Sequence, residues 1–288
     1  MSDLRAERGM PVGEGVGGMH TTAGAVGFTG GQLSAVQTLW WREVVRFVRQ
    51  RSRLFGVFAQ PLVFWLLLGG GFHMSFQAPG MPGGTSYVTY FYPGIIALML
   101  LFTAVFATIA VVDDRQGGFL QGVLVAPVSR STIVLGQALG CTTLAVGQGA
   151  LFLVFAPTVG IHLTLPVIAA VIGVQLLIAF GLTNLGLIIA WRMDSTQGFH
   201  AIMNLILIPI WLLSGAVFPA TGASVWLEWI MRLNPLTYGM AALRRCLYMN
   251  DPAAVGAVPP LMLSVLIMII FCVATLWAAS RTASRRGG

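Results

Sequence analysis

The sequence predicts an all-α polytopic membrane protein with six transmembrane helices, an N-terminal amphipathic interfacial helix, a short cytoplasmic helix and outer re-entrant half-helices. Hydrophobic residues make up 57% of the 288 positions and charged residues only 9%, against roughly a quarter charged in soluble domains. The mean hydropathy is +0.84, and the apolar residues cluster into stretches near the roughly 20 residues that cross about 30 Å of hydrocarbon. A soluble cytosolic enzyme is therefore excluded.

The sixteen positively charged side chains are all arginines, because the sequence contains no lysine. This excludes a Walker A P-loop and a Schiff-base lysine, both of which need that residue. The cysteines show no CxxC spacing and the histidines lie far apart, so we predict no catalytic residue and no metal site. We interpret the net charge of +7 as a marker of membrane topology, and we expect no binding of nucleic acid.

Two different segments precede the first apolar stretch. Residues 1–31 are rich in glycine and predict a disordered cytoplasmic tail. Residues 32–53 separate an apolar face from an arginine face and predict an amphipathic helix in the plane of the inner leaflet. The alternative is a solvated charged face packed on a soluble domain. The residues assigned to the interfacial helix are Trp41, Arg42, Arg46, Arg49 and Arg53.

Six apolar stretches within residues 54–280 are long enough to span a membrane. They are predicted at Leu54–Phe72, Tyr92–Val112, Thr132–Pro157, Pro166–Trp191, Phe199–Phe218 and Leu261–Ser280. Most arginines lie before the first stretch, in the second and fourth loops, and in the basic tail at residues 281–288. The positive-inside rule therefore places both termini in the cytoplasm.

The loop at residues 113–131 differs from an ordinary connection. Acidic residues and an arginine end the second span, Gly117 and Gly118 break the helix, and residues 119–125 are short and largely apolar. We predict a short cytoplasmic helix with exposed apolar side chains, which a partner protein or the lipid surface must cover.

The outer stretch at residues 219–260 contains two apolar segments that are each too short to span. An Asn-Pro sequence separates them, so we predict two re-entrant half-helices that dip into the outer leaflet around this turn. Glu228 and Arg232 have the spacing of a helical ion pair. We expect Arg244 and Arg245 to extend outward, and contact with anionic headgroups and substrate is the alternative.

Polar side chains within the spans are few. Hydrogen bonding between helices is the favoured interpretation, and lining of a transport pathway is the alternative. The candidate pathway residues are Gln148, Gln175, Asn184 and Asn204. No ionisable residue lies near the middle of a predicted span, which disfavours a proton relay or a voltage sensor.

Four features at successive positions resemble the type-2 ABC transporter permeases. These are the basic amphipathic helix, the sequence GFLQGVLVAPVSR from Gly118 to Arg130, LSGAVFP from Leu213 to Pro219, and NPLTY from Asn234 to Tyr238. The resemblance covers residues 32–280. The subgroup that it resembles includes the daunorubicin-resistance and nodulation-factor exporters.

This resemblance implies the membrane subunit of an exporter for an amphiphilic, saccharide or lipid-type substrate in a prokaryotic inner membrane. It implies a homodimer or heterodimer of permease chains with two ATPase subunits, which would hold ATP and Mg, while this chain binds no cofactor. The cytoplasmic helix becomes a coupling helix that docks on the ATPase. The residues that the resemblance implies for coupling are Asp113, Asp114, Arg115, Phe119, Leu120, Leu124 and Arg130, and those for the outer turn are Asn234, Pro235 and Tyr238.

Two other classes of function stay open at this point. A channel or membrane scaffold would need no ATPase, and the apolar cytoplasmic loop argues against it. An intramembrane hydrolase would need a nucleophile and base, or a metal pair, at one depth of the membrane. The sequence offers no such combination.

Overall fold

The computed structural model describes residues 27–49, 59, 61–67, 71, 87–118, 128–220 and 223–286. Every regular element in these ranges is helical. The nine labelled helices are α1 Gly27–Arg49, α2 Tyr87–Ala107, α3 Ile109–Gln116, α4 Arg130–Phe152, α5 Leu165–Ala190, α6 Thr196–Trp211, α7 Val225–Leu233, α8 Pro235–Leu247 and α9 Leu261–Arg286. Residues 61–67 are also helical.

Five stretches of helix in the described ranges are long and apolar enough to cross a membrane. They are Tyr87–Gln116, Arg130–Val159, Leu165–Ala190, Thr196–Ala216 and Leu261–Arg285, and they correspond to the predicted second to sixth spans. The all-α polytopic fold is therefore confirmed. The predicted first span lies largely outside the described residues.

Helix α2 forms the centre of the bundle. Its side chains are apolar around the whole circumference, and it packs against α4, α5 and α6. A helix that is apolar on every side is stable only when protein or lipid surrounds it. The hydroxyl of Thr108 donates to the Val105 carbonyl oxygen at 2.7 Å, where α2 gives way to α3. Together α2 and α3 form the apolar stretch Tyr87–Gln116. This span begins before and ends after the predicted Tyr92–Val112.

Helix α1 packs along the N-terminal half of α4. A Cβ atom at Gly136 would lie 2.8 Å from the Leu39 Cβ atom, and one at Gly140 would lie 2.6 Å from the Glu43 Cβ atom. Only glycine permits this approach, because real Cβ atoms essentially never come so close. The helix begins at Gly27, five residues before the predicted start at residue 32.

The last helix, α9, lies against α5 and α8 at the side of the bundle. The opposite face of α9 exposes large apolar side chains over its whole length. These are Met262, Leu263, Leu266, Ile269, Ile270, Val273 and Trp277. An apolar face of this size suits contact with lipid or with another membrane subunit.

Candidate functional site

A charged cluster joins α1 to the end of α3, and we call it the inner clasp after the orientation that the sequence predicts (Arg42, Glu43, Arg46, Asp113 and Asp114). The Arg42 guanidinium donates to the Asp114 carboxylate, and Arg46 Nη1 lies 3.1 Å from the second oxygen of that carboxylate. Arg46 Nη2 lies 3.4 Å from Asp113, and Arg42 Nη2 lies 2.7 Å from Glu43. Each arginine therefore contacts two acidic groups.

The two aspartates of the inner clasp differ in burial. The Asp114 side chain is 10% exposed and that of Asp113 is 42% exposed. Burial lowers the pKa of Arg42, but the hydrogen bonds and charges of Glu43 and Asp114 outweigh it, so the pKa lies above its ordinary value. Of the two aspartates, Asp114 depends more on its arginine partners, since buried charges are stable only when they are paired.

Arg115 ties the same helix end to α5. Its Nη2 donates to the Trp191 carbonyl oxygen at 2.9 Å, and its Nη1 donates to that of Met193 at 2.9 Å. Its Nη1 also lies 3.2 Å from the Asp194 carboxylate. Cationic side chains commonly satisfy the last carbonyl groups of a helix in this way. The C-terminal end of α3 is therefore fixed on two sides, by α1 and by α5.

The chain leaves this fixed point through Gly118, which has a φ of +74°. Glycine adopts this left-handed conformation without steric cost. The apolar residues of the predicted coupling helix, Phe119, Leu120 and Leu124, lie outside the described residues, as does Arg53 of the interfacial helix. Arg130 is the first residue of α4.

The predicted ATPase-facing acidic residues thus have partners within the chain. Asp113, Asp114 and Arg115 are among the residues that the resemblance implies for coupling to the ATPase. Sequence reasoning missed this arrangement, and it also missed Glu43, which is 5% exposed. The arginines on α1 and the aspartates at the end of α3 have opposite charges, which was the sequence feature that could have indicated the contact. Local sequence patterns do not predict that these two segments meet.

The four candidate pathway residues fall into two groups. Gln148, Gln175 and Asn184 are buried among the helices, whereas Asn204 is exposed on α6. Gln148 accepts a hydrogen bond from the Thr103 hydroxyl, as expected for hydrogen bonding between helices. The side-chain oxygen and nitrogen atoms of Gln175 and Asn184 find no partner within the described ranges.

At the opposite end of the bundle, α7 and α8 meet at the predicted Asn-Pro turn. The Asn234 side chain accepts from the Leu236 N–H at 3.0 Å and donates to the Ile210 carbonyl oxygen at 2.6 Å. It therefore caps α8 and ties the turn to α6. Pro235 is the first residue of α8, where its missing N–H has no consequence.

Neighbouring side chains close the turn between the two helices. The Thr237 hydroxyl donates to the Met231 carbonyl oxygen at 2.6 Å, and the Tyr238 hydroxyl donates to that of Arg232 at 3.0 Å. The predicted pair between Glu228 and Arg232 is present at 2.6 Å. Both of its side chains are exposed, so it contributes little to stability.

The expected outward extension of Arg244 and Arg245 is wrong. Arg244 is only 4% exposed, and its Nη2 donates to the Tyr90 carbonyl oxygen at 3.3 Å. Arg245 donates to the carbonyl oxygens of Val258 and Pro259 at 2.8 and 2.7 Å. Backbone carbonyl groups from distant parts of the chain thus replace the headgroups that the sequence suggested.

The carbonyl group of Gly215 joins the hydrogen-bond network around Arg244. A π-helical turn at residues 212–216 follows α6, and Gly215 within it has a φ of +79°. Its oxygen accepts from the Tyr90 hydroxyl at 3.1 Å and lies 3.5 Å from Arg244 Nη2. A cavity of about 60 Å³ adjoins these groups. Tyr90 and Gly215 were absent from the predicted site.

The geometry defines the class of the protein. A bundle of long apolar helices carries the inner clasp at one end and the pair of short helices α7 and α8 at the other. This is the architecture of a polytopic membrane protein. The sequence model of the ABC-2 type transporter family matches residues 34–248, and the chain belongs to this family. The resemblance drawn from the motifs is thereby confirmed.

Named relatives agree with this assignment. The chain is 28% identical to Nodulation protein J of Rhizobium leguminosarum bv. trifolii over 218 residues, which cover 75% of this chain and 81% of the relative. It is 27% identical to the putative transport permease ycf38 of Cyanophora paradoxa over 207 residues, or 70% of each chain. A second ycf38 permease, from Porphyra purpurea, is 27% identical over 74% of this chain and 73% of the relative.

Proposed function

We propose that this chain is the membrane-spanning subunit of an ATP-driven exporter whose ATPase is a separate polypeptide. The observation that carries the proposal is the fixed end of α3. The inner clasp and Arg115 join three helices at the point where the apolar loop begins. A force on that loop would therefore reach the central span directly, as a coupling element requires.

The division of labour follows from composition. Without a lysine the chain lacks a Walker A site, so ATP and Mg would bind on the partner. Two ATPase copies would act on a homodimer or heterodimer of permease chains. Closure of the ATPases would shift the loops and bias the bundle between inward-open and outward-open states.

The transport path would run between permease subunits. The exposed polar side chain of Asn204 supports this view, because it lies among apolar residues on the exposed face of α6. A polar residue facing lipid is unfavourable, so a second subunit or a hydrated path would cover this face. The buried Gln148, Gln175 and Asn184 would instead stabilise packing within one subunit.

The substrate is proposed to be amphiphilic, or of saccharide or lipid type, and to leave the cytoplasm. The outer network around the Asn-Pro turn would close the far end of the path. The arginine distribution supports an inner-membrane location with both termini in the cytoplasm.

Co-purification of an ATPase with the tagged full-length chain tests this function. Replacing Leu120 or Leu124 with aspartate should abolish recovery of the ATPase while membrane insertion is retained, because a charge would enter an apolar docking surface. Aspartate at Leu233, which is exposed near the opposite end, is the matched control and should leave recovery unchanged. Equal recovery from all variants would contradict docking through this loop, and failure to recover any ATPase with the unaltered chain would favour a channel or scaffold.

A further inference from the structure

A groove between the α5–α6 connection and the end of α9 carries three arginines. Arg192 follows α5, and Arg281 and Arg285 lie one turn apart on α9. The groove has a volume of about 390 Å³, which lies within the range of roughly 300–1,000 Å³ that small-ligand sites occupy. Trp277, Ala278 and Thr282 complete the lining.

The arginines of the groove are not paired with carboxylates in the part of the chain that the structure describes, and the neighbouring Asp194 pairs with Arg115. None of its three arginines forms an ion pair there, whereas Arg42, Arg46, Arg115 and Arg232 all do. Residues 261–288 contain no acidic residue. Arginines at i and i+4 on a helix repel each other, so Arg281 and Arg285 favour an anion between them and Arg192.

The position of the groove matches the membrane surface. Arg192 directly follows Trp191, whose carbonyl oxygen is held by Arg115 at the end of α3, so the groove lies at the same end of the bundle as the inner clasp. Trp277 is 60% exposed, and the Arg281 guanidinium carbon lies 4.7 Å from the centre of its ring. Tryptophan and arginine together are typical of the headgroup level.

We propose that this groove binds an anionic phospholipid that carries two phosphate groups. Guanidinium groups bind phosphate oxygens through paired hydrogen bonds, and basic pockets beside transmembrane helices suit such headgroups. One phosphate would leave two of the three positive charges without a partner, whereas two phosphates leave one. The acyl chains would lie along the exposed apolar face of α9, which begins in the groove at Trp277 and continues one helical turn away at Val273.

Native mass spectrometry of the purified full-length chain, titrated with cardiolipin, tests the proposal. Glutamine at Arg192, Arg281 or Arg285 should each weaken cardiolipin binding about fivefold, the factor expected for one arginine near a charged membrane surface. Lysine at the same positions should retain most of the binding. Glutamine at Arg232, whose side chain is 61% exposed near the opposite end of the bundle, removes the same charge elsewhere and should leave binding unchanged.

Three outcomes would overturn the proposal. Equal weakening by the Arg232 variant would mean general attraction to negative lipid. Phosphatidylglycerol or phosphatidylcholine bound as tightly as cardiolipin would exclude a two-phosphate site. Unchanged cardiolipin binding, together with lost ATPase recovery in the groove variants, would assign the groove to the partner protein.

Discussion

Arg244 lies over the ring of Tyr90, with its guanidinium carbon 4.1 Å from the ring centre. The same guanidinium donates to the Tyr90 carbonyl oxygen, and the Tyr90 hydroxyl donates to Gly215. One cation thus holds α8, the beginning of α2 and the π-helical turn after α6 together. Since the described residues place no carboxylate beside it, these dipoles and the aromatic ring stabilise its charge.

Replacing Arg244 with methionine should destabilise the protein by about 1–3 kcal/mol, since the buried carbonyl groups would lose their donor. Lysine should restore only part of this stability, because its ammonium group lacks the planar fork of arginine. Thermal unfolding of the solubilised protein measures both effects.

The matched control for Arg244 is Arg232→Met. Arg232 belongs to an exposed pair with Glu228, so its loss should change stability by at most about 0.5 kcal/mol. Similar values for the two methionine variants would contradict the clamping role of Arg244.

The fold was predictable because membrane spans depend on local composition. Apolar length alone located the second to sixth spans, and an Asn-Pro sequence located the junction of α7 and α8. Helix ends were less predictable: the basic residues after Ser280 continue α9 as far as Arg286. Arginine has a high helix propensity, so the basic composition of residues 281–286 does not mark the end of α9.

The candidate sites were less predictable because they depend on contacts between distant segments. The arginines and aspartates of the inner clasp are separated by about seventy positions in the chain. Arg244 and Tyr90 are separated by 154 positions. Sequence periodicity assigns residues to faces of one helix. It contains no information about which carbonyl group from another helix meets a given arginine.

Asparagine at Asp114 should destabilise the protein more than asparagine at Asp113. Asp114 is nearly buried and contacts two arginines, whereas Asp113 is exposed and contacts one. We expect a loss of about 1–3 kcal/mol for Asp114→Asn and less than about 1 kcal/mol for Asp113→Asn. Denaturant unfolding of the purified chain provides the measurement.

A double-mutant cycle separates the ion pair from other effects of the Asp114 substitution. The combined variant Arg42→Gln with Asp114→Asn should lose less stability than the sum of the single variants, because contacting residues are coupled. If the losses simply add, Asp114 does not act through Arg42.

Helix α1 should lie in the plane of the inner leaflet. Val48 is 57% exposed, and Arg49 is also exposed and shares the helical face of Arg42 and Arg46. A spin label at position 48 should therefore be accessible to oxygen in lipid, and one at position 49 to a water-soluble relaxation agent. These positions avoid Arg46, which the inner clasp occupies. Equal accessibility at both positions would contradict the in-plane orientation.

The junction of α7 and α8 should be reachable only from outside the cell. Pro235 removes a backbone donor and disfavours helical geometry at Asn234, so the reversal is built into the chain. Both helices are too short to span, since they contain 9 and 13 residues. The three native cysteines, Cys141, Cys246 and Cys272, are buried and would be replaced first.

Cysteines at Trp229 and Leu233, which are 60% and 80% exposed, should react with an impermeant thiol reagent added to intact cells. Cysteine at Leu243, which is fully buried on α8, is the matched control and should stay protected until the protein is unfolded. Positions 229, 233 and 243 all lie on α7 and α8, so the difference between the control and the other two reports side-chain packing. The side of the membrane is reported by the labelling of intact cells. Labelling of position 233 only after the inner surface is exposed would place the junction in the cytoplasm, and the predicted orientation of all the spans would then be reversed.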